Sequence, residues 1–212
     1  MNLTEFRKEY TLAGLRRRDL AENPIRQFES WFQQAVKAEV PEPTAMSLAT
    51  VNKLNEPSVR TVLLKAVDER GFIFCTNYES QKGRELAENS NAGLLFFWKE
   101  LERQVCIRGL TRKIPVEESE AYFESRPRGS QLGAWVSKQS SVVENRAVLE
   151  NKYQELEEKY SGQQIPLPPN WGGYVVVPVT IEFWQGRVNR LHDRFRYTKQ
   201  ANGIWEVERL SP

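Results

Sequence analysis

The chain has 212 residues, a mass of 24.7 kDa, 40% hydrophobic and 27% charged residues, and a formal net charge of +2. These values predict a soluble globular protein with one sizeable core. The net charge is too small to indicate a nucleic-acid or anionic-membrane partner. Arginine supplies 19 of the 30 basic residues. This suits contacts to small phosphorylated ligands, although salt bridges with the 28 acids explain the surplus equally well.

The two cysteines and the composition of the N-terminus indicate which kinds of site are absent and which compartment to expect. Cys75 and Cys106 lie far apart and have no neighbouring histidine, which argues against a metal site and against a disulfide scaffold. The N-terminus lacks an apolar signal region and no run reaches transmembrane length, so we predict a cytoplasmic protein. The motifs of Rossmann dinucleotide sites, P-loops and serine hydrolases are absent from the sequence.

The first half of the chain predicts an arm, one helix and a series of strands. Residues 1–22 are polar and basic, and predict an arm outside the core. Asn23 followed by Pro24 is typical of a helix start, and apolar residues at helical spacing extend that helix to about Val40. The next predicted elements are strands over Thr44–Val51, Ser58–Val67, Phe72–Thr76, Ala92–Trp98 and Gln104–Ile114, and a short helix over Ser80–Glu88.

The second half predicts two charged helices and three closing strands. One helix begins at Pro115 and ends near Arg126. The other spans Val142–Tyr160, and the hydroxyl-rich segment Ser137–Ser141 before it is either a binding loop or its N-cap. The predicted strands are Tyr174–Trp184, Arg194–Lys199 and Ile204–Leu210. Because the strands meet mostly through hairpins, we predict an antiparallel barrel decorated with helices, as a single domain over residues 23–212.

The segment Trp184–Arg194, W-Q-G-R-V-N-R-L-H-D-R, holds the only histidine of the chain. If the segment is extended, Arg190, His192 and Arg194 lie on one face, because side chains alternate along a strand. Two guanidiniums beside an imidazole form a site for an anion or an electron-rich ring. A solvated edge strand with scattered charges is the alternative.

Further basic residues lie in Ser58–Ala66 and at a predicted helix start. Arg60 and Lys65 fall on opposite faces of the predicted strand. They need anionic partners if buried, because an unpaired buried charge is very costly; otherwise their long side chains reach solvent at the strand ends. Lys82 lies where free backbone N–H groups favour a phosphate, although it also fits an ordinary surface lysine.

Tyr122 and Arg126 are four residues apart on one helix face. Ser130 follows after a turn and is predicted to cap the next helix. The two hydroxyls and the guanidinium together suit a compact phosphate site. The alternative is a half-buried Tyr122 and an Arg126 paired with Glu118 or Glu124.

Taken together, these segments resemble the pyridoxamine/pyridoxine 5′-phosphate oxidase family, FMN enzymes that make pyridoxal 5′-phosphate. The resemblance runs nearly end to end. It is carried by R-K-E-Y-T, G-L-R-R-R-D-L, R-T-V-L-L-K, L-E-R-Q-V, S-R-P-R-G-S-Q-L-G-A-W-V-S-K-Q-S-S, W-G-G-Y and F-W-Q-G-R-V-N-R-L-H-D-R-F. It implies an antiparallel split β-barrel that works as a homodimer, with FMN in the cleft between subunits. The implied reaction oxidises pyridoxine 5′-phosphate and pyridoxamine 5′-phosphate by hydride transfer to FMN, with O₂ as acceptor and hydrogen peroxide as product.

The resemblance also implies roles for individual residues. The implied FMN-binding residues are Arg60, Thr61, Val62, Leu63, Leu64, Lys65, Cys75, Thr76, Gln81, Lys82, Gln104, Gln139, Ser140, Trp184 and Arg194. The implied substrate-phosphate residues are Lys65, Tyr122, Arg126 and Ser130. Arg190, Leu191 and His192 are implied to line the pyridine ring, with Arg190 and His192 as the catalytic residues. Arg7, Lys8, Glu9 and Tyr10 are implied to close over it as a lid.

Two positions depart from the expected family pattern. Cys75 stands where an aromatic residue is common, and Gln81 stands where a second basic residue is common. A related flavin reductase that uses a nicotinamide, and a non-catalytic binder of FMN or pyridoxal phosphate, are the alternative functions.

Overall fold

A computed structural model describes residues 9–212 of the chain. Arg7 and Lys8, two of the implied lid residues, therefore lie outside the described residues. Within residues 9–212, no helix combines the length and the apolar character needed to cross a membrane.

One antiparallel sheet organises the described part of the chain. Its strands are β1 (Ala45–Val51), β2 (Pro57–Leu63), β3 (Ala66–Asp68), β4 (Gly71–Asn77), β5 (Asn91–Trp98), β6 (Arg103–Lys113), β7 (Trp171–Gln185), β8 (Asp193–Lys199) and β9 (Trp205–Leu210). The sheet order is β2-β1-β5-β6-β7-β4-β3, and β9 joins through β8, which pairs with β7. Strand β6 pairs with one edge of β7. On the other edge, β4 pairs with the first part of β7 and β8 pairs with the last part, so the sheet divides into two branches at β7. The antiparallel hairpin architecture predicted from the sequence is confirmed.

Helix α1 (Pro24–Lys37) packs its apolar side against the sheet. Its predicted N-cap is confirmed, because the Asn23 side chain accepts a hydrogen bond from the Ile25 N–H at 2.8 Å. Phe28 is fully buried, with its ring 4.8 Å from that of Phe72 and 5.0 Å from that of Phe96. Burying such a side chain contributes about 1.5–3 kcal/mol. This helix therefore anchors the largest apolar cluster of the fold.

Four further helices occupy the connections between strands: α2 (Gln81–Glu88), α3 (Val116–Glu124), α4 (Arg128–Val136) and α5 (Arg146–Lys159). A second apolar cluster joins α3, α4 and the start of β7 through buried Phe123, Leu132, Ile165 and Trp171. This cluster fixes α3 beside the β4–β7 pair, which positions Tyr122 and Arg126.

The predicted strand Ser58–Val67 is wrong, because the structure divides it into β2 and β3. The backbone N–H of Leu64 bonds to Thr44 O at 2.9 Å, whereas that of Lys65 bonds to Ile73 O at 2.8 Å. The chain thus leaves β1 and pairs with β4 at this point. Lys65 lies at the bend between the two strands, so the predicted alternation of faces does not reach it.

Two predicted helix starts are also wrong. The long helix begins at Arg146 and not at Val142, because the Asn145 side chain caps it by accepting from the Val148 N–H at 3.3 Å. The segment Ser137–Ser141 is therefore not its cap. Ser130 does not cap α4 either: that helix begins at Arg128 after Pro127, and Ser130 lies in its first turn.

Part of the predicted N-terminal arm belongs to the hydrophobic core. Leu15 is 5% exposed and belongs to the main apolar cluster, although the sequence around it is basic. Its N–H donates to Asp193 Oδ2 at 3.0 Å, and the Tyr197 hydroxyl donates to Ala21 O at 2.6 Å. Contacts with β8 therefore hold this segment against the barrel.

Candidate functional site

A cationic cluster forms where the start of α2 meets the end of β4. Lys82 is 9% exposed, and its Nζ donates to Gln139 Oε1 at 2.8 Å. The Thr76 hydroxyl donates to the same oxygen at 3.3 Å. Burial lowers the pKa of Lys82, the nearby Arg60 lowers it further, and Glu85 opposes the change. The structure thus brings together four of the residues implied to bind FMN, in a position that suits an anion.

Arg60 has an anionic partner that the sequence left unidentified. Its Nη2 lies 3.1 Å from Glu85 Oε2, and its Nη1 donates to the Thr50 hydroxyl. Gln81, which replaces a common basic residue, donates from Nε2 to Glu85 Oε1 at 2.8 Å. Because an unpaired buried charge is costly, the sequence indicates that a buried Arg60 needs an acidic partner. The alternation of residues along the strand does not show that this partner is Glu85 on α2.

A second cationic cluster lies next to the first, around Cys75. The Lys65 Nζ is 5.6 Å from the centroid of the Tyr122 ring, and the Arg126 guanidinium is 4.8 Å from that of Trp171. Arg126 Nη1 is buried and has no hydrogen-bond partner among the described residues. Such a nitrogen is costly unless a ligand satisfies it.

The alternative pairing of Arg126 does not occur. Glu118 bonds to Arg70 at 2.7 Å, and Glu124 accepts from Gln164 at 2.6 Å. Burial lowers the pKa of Arg126, while Tyr122 and Cys75 oppose the change. The side chain stays charged, since an arginine does not deprotonate in proteins. Arg126 is therefore a half-buried cation that pairs with neither predicted acid.

Cys75 stays neutral in this cluster. Burial raises the pKa of its thiol to about 11, against the opposing charges of Lys65 and Arg126. It therefore leaves the positive charge of the cluster intact at neutral pH. Ser130 lies exposed in the first turn of α4, and its role in binding phosphate stays a prediction.

The remaining residues implied near these two clusters lie along β2, in the bend after it and in the loop after α4. They are Thr61, Val62, Leu63, Leu64 and Ser140. Ser140 has a φ of 71°, a left-handed conformation that is uncommon outside glycine.

A third group lies at the other end of β7. Gln104 pairs with Trp184, which pairs in turn with Arg194, so the three residues form a row across β6, β7 and β8. Arg194 Nε donates to Glu182 Oε1 at 2.7 Å, and its Nη1 donates to Ser211 O at 2.8 Å. Part of its donor capacity is thus already used within the chain.

His192 lies beside this row. Its ring centroid is 4.6 Å from that of Trp184 and 5.9 Å from that of Tyr10. Tyr10 packs over Gly186, where a Cβ would come 2.7 Å from the Tyr10 Cγ. Only glycine leaves room for the tyrosine there. Of the other implied lid residues, Glu9 is exposed.

The predicted extended arrangement of Arg190, His192 and Arg194 is wrong. The chain forms a 3₁₀ turn over Val188–Arg190, with positive φ at Asn189 and Arg190. Arg190 and Leu191 are exposed. The turn arises because the Arg187 N–H donates to His192 Nδ1 at 3.0 Å and the Leu191 N–H to Val188 O at 3.1 Å, so the loop bonds to itself.

We expect His192 to be neutral at pH 7, with its proton on Nε2. Burial lowers its pKa from the usual value, and the charge of Arg190 lowers it further. Because the chain has one histidine, an NMR titration of the imidazole measures this pKa directly. It should lie below about 6.5 and rise in Arg190→Met, which removes a repelling charge. A wild-type pKa above 6.5 would contradict the burial seen here.

The clusters lie too far apart along β7 for one chain to surround a single flavin. Thr76 pairs with Gly172, whereas Gln104 pairs with Trp184, twelve residues further along the strand. At about 3.3 Å per residue, that separation is about 40 Å. If both groups bind one flavin, as the resemblance implies, each chain carries two half-sites at opposite ends of one strand.

Comparison with known proteins assigns the chain to a family. A family model described as pyridoxamine 5′-phosphate oxidase matches residues 32–160, and one described as pyridoxine 5′-phosphate oxidase C-terminal dimerisation region matches residues 171–212. The chain belongs to the pyridoxamine 5′-phosphate oxidase family. A family member from Crocosphaera subtropica, a pyridoxine/pyridoxamine 5′-phosphate oxidase, is 57% identical over 214 residues, covering 100% of both chains.

Two solved structures have a similar fold. PhzG from Burkholderia lata, crystallised with tetrahydrophenazine-1-carboxylic acid, has 32% identity and a TM-score of 0.90, covering 95% of this chain and 100% of its own. A pyridoxamine 5′-phosphate oxidase-related, FMN-binding protein from Nostoc punctiforme has 16% identity and a TM-score of 0.72, covering 91% and 100%. The predicted split β-barrel is confirmed.

Proposed function

We propose that this chain oxidises pyridoxine 5′-phosphate and pyridoxamine 5′-phosphate to pyridoxal 5′-phosphate, with FMN as cofactor and O₂ as electron acceptor. The main support is the pair of adjacent cationic clusters, one around Arg60 and Lys82 and the other around Lys65 and Arg126. FMN and the substrate each carry one phosphate, so the reaction needs two such sites side by side. Cys75 and Thr76, which are adjacent in β4, join them.

The residues of the first cluster fit the phosphate end of FMN. Arg60 and Lys82 supply charge, and the α2 N-terminus supplies backbone donors. When bound, FMN supplies the hydride acceptor and the route for electrons to O₂. The neighbouring Thr76 and Gln139 are already joined to Lys82 through one shared oxygen, which orients the side chains around the anion.

The second cluster fits the phosphate of the substrate. Lys65, Tyr122 and Arg126 hold a group remote from the reacting carbon, so their binding energy serves to position that carbon. Arg126 Nη1 gains the acceptor that it otherwise lacks. At the other half-site, neutral His192 offers an Nε2 donor to ring substituents, and Arg190 supplies positive charge to the far ring face.

A homodimer completes the site. The half-sites lie at opposite ends of β7, so the flavin end of one subunit must face the His192 end of its partner. The dimerisation region matched by the family model spans 171–212, which includes β7, β8 and β9. A two-fold dimer then holds two identical sites, each built from both chains.

A flavin reductase and a non-catalytic binder remain the competing functions, and one assay separates them. The purified protein should be yellow, with about one FMN per chain, and should prefer FMN to riboflavin because Arg60 and Lys82 attract the phosphate, which riboflavin lacks. Anaerobic addition of pyridoxamine 5′-phosphate should bleach the flavin spectrum, and air should restore it with release of peroxide. Bleaching by NAD(P)H alone would indicate the reductase, and no bleaching by either compound would indicate the binder.

A further inference from the structure

Glu85 is a buried carboxylate inside the cationic cluster proposed to bind the FMN phosphate. It is 5% exposed, and both of its oxygens accept hydrogen bonds. Oε1 accepts from the Ser58 hydroxyl at 2.9 Å and from Gln81 Nε2 at 2.8 Å. Oε2 accepts from Arg60 Nη2 and from the Thr50 hydroxyl.

These bonds keep Glu85 ionised. Burial by itself raises the pKa of the carboxyl, but the donors Thr50, Gln81 and Ser58 and the charge of Arg60 together lower it. A permanent negative charge in a site for anions is unfavourable for the ligand, since like charges repel strongly where solvent is excluded. It also occupies a donor nitrogen of Arg60.

The same negative charge stabilises the folded protein when no flavin is bound. The Arg60 side chain is 20% exposed and Lys82 is buried, and the charge of Arg60 acts on Lys82. Two cations with so little access to water need a nearby anion, because an uncompensated buried charge destabilises the fold. Glu85 is the acid that meets this need, through its direct bond to Arg60.

We propose that Glu85 is the resident counter-ion of the flavin-phosphate site. Its charge stabilises the flavin-free chain and, for the same reason, weakens the binding of the FMN phosphate. Glu85 thereby sets how strongly the site prefers FMN to riboflavin, and it acts through Arg60. This inference rests on the proposed function, because it takes the FMN phosphate as the ligand of Arg60.

The test compares Glu85→Gln with wild type, because glutamine keeps the size and one acceptor oxygen but removes the charge. Dissociation constants for FMN and riboflavin are measured by flavin fluorescence on flavin-free protein. We expect FMN to bind about tenfold more tightly, as removing one nearby charge in a partly buried site implies, and riboflavin to bind as before. The melting temperature of the flavin-free protein should fall.

Glu88→Gln is the matched control, because it removes the same charge from the same helix at an exposed position. It should leave both flavin affinities and the melting temperature nearly unchanged.

A second experiment uses the Arg60→Met variant to test the counter-ion role without flavin. In Arg60→Met, Glu85 loses the only cation that it bonds to directly among the described residues, so adding Glu85→Gln should raise the melting temperature, the opposite of its effect in wild type.

The outcomes separate this inference from the proposed function. A wild-type protein that binds FMN no better than riboflavin would overturn the proposed phosphate site, and this inference with it. If wild type prefers FMN but Glu85→Gln weakens FMN, or changes both flavins equally, Glu85 is a structural residue and only the inference is overturned. A fall in melting temperature on adding Glu85→Gln to Arg60→Met would also overturn it.

Discussion

A mixture of Lys65→Met and Arg190→Met subunits is expected to recover about one quarter of wild-type activity, although each variant alone is nearly inactive. The two residues lie in half-sites at opposite ends of β7, so one intact site forms in each mixed dimer. Random exchange makes about half of the dimers mixed, and each of these has one working site of two. Activity is followed as peroxide release while the subunits exchange.

The matched control is a mixture of Lys65→Met with Arg126→Met. Both changes fall in the same half-site, so neither site of a mixed dimer is intact and no activity should return. Recovery in this control, or its absence in the first mixture despite exchange shown by native mass spectrometry, would refute the shared site. A fully active monomer with bound FMN would refute it as well.

Arg126→Met is expected to lower kcat/KM for pyridoxine 5′-phosphate by about 10²–10³-fold. The substitution removes a half-buried cation whose Nη1 has no partner among the described residues, and truncating one partner of a hydrogen-bonded charge pair in a binding site costs about 2–5 kcal/mol. Flavin content should stay at the wild-type level, because Arg60 and Lys82 are untouched. The melting temperature should not fall, since an unsatisfied buried group is removed.

Arg112→Met is the control for this prediction, because Arg112 is an exposed arginine on β6. It should leave turnover nearly unchanged. Pyridoxine without its phosphate provides a second comparison, since its slow oxidation should be equally slow in wild type and in Arg126→Met. An equal loss on both substrates would show that Arg126 supports the fold and does not bind the phosphate.

The sequence predicted most of the elements but not where the chain bends. The Asn23 cap, the α2 start after Ser80 and the hairpins follow from local preferences and from alternation, which depend on neighbouring residues. The strand at Ser58–Val67 was predicted as continuous because Val and Leu fill it. Its division at Lys65 depends on a change of partner from β1 to β4, which local pattern does not encode.

The loop around His192 shows the same limit on the scale of a few residues. Alternation suggested that Arg190, His192 and Arg194 share a face. The His192 ring instead accepts a bond from the Arg187 N–H, and the chain turns. Leu15 shows a further limit of the sequence. It lies in a basic segment that predicted an exposed arm, but it packs in the main apolar cluster of the barrel.

By itself, the sequence determined the antiparallel fold, the family resemblance and the residue types of both proposed phosphate sites, because these depend on composition, period and long motifs. The tertiary structure alone decided which residues meet. It paired Arg60 with Glu85, left Arg126 without an acidic partner among residues 9–212 and separated the two proposed half-sites along β7. Contacts between segments distant in sequence depend on packing the whole sheet, and this explains why no local pattern could identify them.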